Sequence, residues 1–165
     1  MNPVESNQGI ENLSEPSTTT QAPLPEERSM ATLAHILQVV GWWVAPLIIF
    51  LIKRESRFVS FHALQALLLQ IAYMFLTFTF MGLWFVFFFL MVAQHPATHG
   101  SPPPAMFVLF PLVWLGFIAA WSVMLVIAIV YAIKAGRGEW AEYPLLGRLS
   151  RKILKIGPGG TAASV

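Results

Sequence analysis

FVSFHALQALLLQIAYMFLTFTFMGLWFVFFFLMVAQHPATHGSPPPAMFVLFPLVWLGFIAAWSVMLVIAIVYAI, from Phe58 to Ile133, contains no Lys, Arg, Asp or Glu. A soluble domain carries about one charged residue in four. A run this long without any therefore belongs in lipid. Its middle, Gln94 to Pro104, holds four prolines and a glycine, which break a helix. Two apolar arms around such a break read as a transmembrane hairpin, because each crossing of a bilayer core takes ~20 apolar residues.

Composition agrees. The 165 residues are 56% hydrophobic and 11% charged. The basic residues flank the apolar run: Lys53, Arg54 and Arg57 before it, then Lys134, Arg137, Arg148, Arg151, Lys152 and Lys155 after it. Such patches suit anionic headgroups, and no nucleic-acid partner is expected. The absence of Cys excludes disulfides and thiolate chemistry, and the absence of Asp removes the most frequent acid/base partner. No signal peptide precedes the first apolar segment, so targeting rests on the spans.

The expected fold is an all-α integral membrane bundle of three transmembrane helices with a C-terminal amphipathic interfacial helix. Residues 1–28, rich in Glu, Pro, Ser and Thr, read as a disordered tail. The membrane domain covers 29–156. Its helices are expected at about 29–52, 60–92 and 106–135, with the interfacial helix at 144–156 and a flexible end at 157–165. Ser29 is a plausible N-cap. Gly41 and Pro46 interrupt the first helix, which reads as a kinked span, with a re-entrant segment as the alternative. Arg148, Arg151, Lys152 and Lys155 line one side of the last helix, opposite Leu145, Leu149, Ile153 and Ile156. In the three-span arrangement both basic segments share a side. The positive-inside rule makes that side cytoplasmic, in a bacterial inner membrane, with the N-terminus outside and the C-terminus inside.

Polar groups inside lipid must face protein or water. His35 and Gln38 on the first helix, and His62, Gln65, Gln70 and Thr77 on the second, form a candidate interaction strip. Interhelical hydrogen bonding is its simplest use. The basic candidates for anionic-lipid contact are Lys53, Arg54, Arg57, Arg148, Arg151, Lys152 and Lys155. No catalytic, cofactor or metal residue is expected. Two histidines without Asp or Cys are a weak metal set, His95 and His99 sit in a Pro-rich loop, and Glu139 and Glu142 lie among arginines. Gly116, Ala119, Ala120 and Ser122 offer a small-residue face on the third helix.

Two stretches resemble a known group. FVSFHALQAL, Phe58–Leu67, and IKAGRGEWAEYPL, Ile133–Leu145, together resemble the small bacterial membrane proteins grouped with the chloroplast inner-envelope import component, the Tic-twenty-like group. The MamF/MmsF magnetosome membrane proteins are part of it. The resemblance covers residues 31 to 156. It implies a small multi-span membrane protein and supplies no activity. Leu68 departs from the pattern where Asn is common, and Glu142 where a basic residue is common. The resulting expectation is a non-catalytic membrane protein acting through helix contacts with itself or a larger partner. The alternative is a pore or translocation component formed by oligomerisation.

Overall fold

The computed structural model describes residues 22–94 and 104–157; the acidic tail up to residue 21, the Pro-rich loop at 95–103 and the last eight residues lie outside them. Five helices follow one another: α1 (Pro25–Gly41), α2 (Val44–Ile52), α3 (Arg57–Ala93), α4 (Pro104–Gly136) and α5 (Leu146–Leu154). α1 starts four residues before Ser29. Pro25 occupies the first helical position, where a missing N–H costs nothing, and Glu26 and Glu27 face the positive end of the helix dipole. The carboxylate of Glu27 also accepts from the Leu24 N–H at 2.9 Å. Ser56 caps α3, accepting from the Val59 N–H at 3.2 Å.

Two helices, α3 and α4, are long and apolar enough to cross a membrane. At 1.5 Å per residue α3 is about 55 Å long, well beyond a ~30 Å hydrocarbon core. The expected first span, 29–52, is not one continuous helix. α1 and α2 fold into an antiparallel hairpin: Ala34 of α1 packs on Ile49 of α2 in a cluster with Val59 and Ala63, and Met30, Leu37 and Phe50 pack around it. At the open end of the hairpin, Lys53 Nζ donates to Glu26 Oε1 at 2.6 Å and Ser56 Oγ to Glu27 Oε1 at 2.7 Å. The 29–52 stretch is therefore two antiparallel helices, one of about 25 Å and one of about 13 Å, rather than one kinked helix.

The turn explains why. A Cβ on Gly41 would lie 2.6 Å from the Ala45 Cβ, so only glycine allows the two helices to approach there. Trp42 adopts φ 52°, ψ −141°, a left-handed conformation that costs a side-chain-bearing residue about 1–3 kcal/mol. Pro46 falls in the first turn of α2, where no hydrogen bond is lost. It therefore starts a helix rather than kinking one. The hairpin sets the first described residues beside Lys53, at the same end of the bundle as α5.

α1 is wedged between the inner halves of α3 and α4. Ala31 packs with Phe58 and Ala135, and Trp140 closes over them. Met124, Ala128, Ala132 and Ala135 are the buried residues of α4, spaced at helical intervals. The small residues used in folding, Ala128, Ala132 and Ala135, are thus about two to four turns beyond the expected Gly116–Ser122 face. Towards their far ends α3 and α4 meet at the Phe80–Phe117 pair, edge to face with ring centroids 5.4 Å apart. Phe75, Phe78, Leu83, Phe85, Phe89, Phe107 and Phe110 are exposed there. One end of the molecule is a packed head, and the other is a bare aromatic hairpin suited to lipid.

Candidate functional site

The head contains nearly all the buried polar groups. Beyond α4 the chain leaves the helix at Arg137 and runs back across the inner end of α3 before α5 begins. This segment, Glu139 to Tyr143, is held by side chains from three helices. His62 Nε2 bonds the Glu139 carbonyl at 3.1 Å. Gln65, one turn further along α3, donates from Nε2 to the Ala141 carbonyl at 3.2 Å and accepts the Tyr143 N–H at 2.7 Å. Tyr131 of α4 donates its hydroxyl to the Glu142 carbonyl at 2.6 Å. Gln65 meets the segment as a neighbouring strand would, one donor and one acceptor at a time. We refer to this clamped segment as the latch.

His35 extends the network into α1. Its Nε2 lies 3.1 Å from His62 Nδ1, and its Nδ1 lies 2.9 Å from the Tyr143 hydroxyl. All three side chains are buried. The carbonyl of Glu139 can only accept, so His62 carries its proton on Nε2. With both rings neutral, His62 Nδ1 accepts from His35 Nε2–H, and His35 Nδ1 accepts from the tyrosine. The chain has one direction: Tyr143 to His35 to His62 to Glu139 O. It holds four groups with no group left over. A third proton on the pair would give one ring two N–H donors, and the one-way order of the chain would be lost. Burial pushes the Tyr143 phenol above the ordinary tyrosine range, which keeps it a donor. Phe58, Phe61 and Trp140 pack their rings edge-on or tilted around His62 and exclude water.

The expected strip therefore divides. His35, His62 and Gln65 meet in the latch and make hydrogen bonds there. Gln38 is fully buried beside the Tyr143 hydroxyl, and neither of its amide atoms makes a hydrogen bond of good geometry. Gln70 and Thr77 belong elsewhere: they line a cavity at the tip of the α1–α2 hairpin. His62 and Gln65 do not line a continuous aqueous path, because the latch already covers them. Tyr131 and Tyr143 were not among the expected site residues, although Tyr143-Pro144 stood in the motif. Glu142, the residue that departs from the family pattern, forms an ion pair with Arg151 of α5.

The basic residues also divide. Lys53 is paired with Glu26 and Arg151 with Glu142. The Lys53 ammonium, by hydrogen bond and charge, holds the Glu26 carboxyl below its ordinary range. Arg54 lies over the Phe50 ring at 5.8 Å, and Arg57 is exposed. α5 has three faces rather than two. Gly147 and Ser150 are buried; Leu145, Leu149 and Ile153 are exposed; Arg148, Lys152 and Lys155 form an exposed cationic row beside them. Ile156, expected on the apolar side, is buried. A Cβ on Gly147 would meet the Glu142 Cβ at 2.5 Å and its Cα at 3.0 Å, so glycine is what lets α5 sit against the latch.

Two apolar span-length helices, an antiparallel helical hairpin and a latched basic end define a small helical membrane protein whose buried polar groups bond within its own packed head. No curated protein and no solved structure matches the chain. Residues 26–150 match the MamF/MmsF family, described as the magnetosome magnetite crystal formation protein family, and the chain belongs to it. The match begins at the first turn of α1 and ends inside α5, so it takes in every element of the head.

Proposed function

We propose that this chain is a non-catalytic membrane protein that works by helix contact, with itself or with a larger membrane partner, through the outer halves of α3 and α4. One observation carries the reading. A Cβ built on Gly82 or Gly116 would meet nothing within 4 Å. Both small positions sit on span-length helices, at the aromatic end, where no described residue lies against them. In lipid, helices associate through close packing at small residues, not through a hydrophobic drive. The head, by contrast, has used its small residues internally. The pore reading draws no support from His62 and Gln65, whose hydrogen bonds are already made.

The latched end faces the cytoplasm in this reading, since Arg54, Arg57, Arg148, Lys152 and Lys155 all gather there. The exposed cationic row of α5 contacts anionic lipid while Leu145, Leu149 and Ile153 enter the headgroup boundary. Crosslinking in native membranes tests the central idea. Cysteines placed at Gly82 or Gly116 are expected to trap a dimer or a larger adduct. Only monomer, under conditions that trap a known membrane dimer, would overturn it. Gly116→Leu should abolish the adduct while leaving the head folded.

A further inference from the structure

A cavity of about 300 Å³ lies where the tip of the α1–α2 hairpin meets the middle of α3 and α4. Trp42, Tyr73, Trp121 and Met124 wall it, and Gln70 and Thr77 supply its polar groups. Gln70 is 5% exposed, and its Oε1 accepts no hydrogen bond. An amide oxygen left unpaired in an apolar interior is costly, so such groups mark a missing partner. The strained Trp42 forms part of the wall, so the unusual turn is also what shapes the chamber. Gln70 stands thirteen residues into α3 and Met124 ten residues before Lys134. That is about 15–20 Å from the charged end, near the middle of a ~30 Å core.

We infer that this cavity is a ligand site for a flat, ring-bearing lipophile that donates one hydroxyl or N–H hydrogen bond to Gln70 Oε1. The class follows from the walls. Aromatic side chains favour a planar ring by stacking and edge contacts. The volume is about twice that of a cavity known to hold one benzene ring, which sets the head at one or two rings. The vacant acceptor is itself buried, so a donor reaches it by rotation of the Gln70 amide about its soft terminal torsion toward the open space. The depth requires a molecule that reaches the site through lipid, as a phenolic or quinol-type lipid would. This goes beyond the helix-contact function and does not depend on it.

The test uses the full chain in nanodiscs with two probes of similar size, 1-naphthol and 1-methylnaphthalene, read by tryptophan fluorescence against empty discs. Saturable binding of both is expected, with naphthol about tenfold tighter, the ratio that one net hydrogen bond supplies. Gln70→Leu should remove the preference and keep methylnaphthalene binding. If that variant fails to fold, Val39→Phe, which narrows the same chamber from α1, should weaken both probes. No saturable binding would mean that water alone fills the space, and would overturn the inference. So would equal affinity for the two probes in the unaltered chain, or a preference that survives Gln70→Leu.

Discussion

Gln65→Leu tests the latch at its centre. The leucine keeps roughly the volume of the amide but removes both its donor and its acceptor. The Tyr143 N–H and the Ala141 carbonyl then lose their partners together. Tyr143 is 3% exposed, so water does not replace the bond without local opening. Each buried group left unpaired costs about 1–3 kcal/mol, and the pair about 2–4 kcal/mol if they release as one segment. At 1.4 kcal/mol per tenfold, the opening equilibrium of the latch should rise by about 30- to 700-fold. Amide exchange of Tyr143 in nanodiscs reads this directly, with amides in the middle of α4 as internal reference. Tryptic cleavage at Arg148 gives an independent reading. The α4 amides should be unchanged, since the span does not depend on the latch. Exchange at Tyr143 within about twofold of the unaltered protein would refute the assignment of Gln65 as the clamp.

Gly147→Ala should lift α5 from the latch, costing about 1–3 kcal/mol by overpacking against Glu142, whereas Gly116→Ala should change stability by less than about 0.5 kcal/mol; thermal unfolding of the two variants side by side makes the comparison. The raised phenol of Tyr143 means the folded latch holds that proton more tightly than the open one. Its contribution is complete below pH ~10 and is lost as pH rises beyond that value; latch proteolysis between pH 8 and 11 should show the loss, and Tyr143→Phe should flatten it. Replacing Arg148, Lys152 and Lys155 together by Gln should weaken anionic-lipid retention, at about 1 kcal/mol per charge, while Arg151→Gln should disturb the Glu142 contact instead; native mass spectrometry after exchange into mixed lipid distinguishes the two.

The spans were legible because charge is absent from Phe58 to Ile133, and no tertiary detail can alter what that means for solvent. The basic end was legible because its Lys and Arg residues sit just beyond that run. The hairpin was not. A 24-residue apolar stretch interrupted by Gly41 and Pro46 satisfies both a kinked span and a re-entrant turn. What decides between them is a contact between Glu26 and Lys53, which periodicity does not report. The strip was half legible. Residues at helical spacing share a face, which linked His62 to Gln65. Gln70 and Thr77 continue that face along α3 but meet a different neighbour, because α1 ends at Trp42. Tyr131 and Tyr143 were missed since nothing in their spacing ties them to the strip on α1 and α3. Only their carbonyl and histidine partners show otherwise. Three-faced α5 was read as two-faced because Gly147 and Ser150 carry no hydrophobic signal, although they form the buried side.

The claim on which the rest depends is that α1 and α2 enter the membrane and return, so that the described chain begins and ends on one side. The chain has no cysteine of its own, which makes single-site labelling clean. Cysteines introduced at Ala22, Ala105 and Lys155 can be probed with an impermeant maleimide in right-side-out and inside-out vesicles. Labelling of Ala22→Cys and Lys155→Cys from one face and of Ala105→Cys from the other is the predicted result. Labelling of Ala22→Cys from the same face as Ala105→Cys would contradict the account and restore three spans.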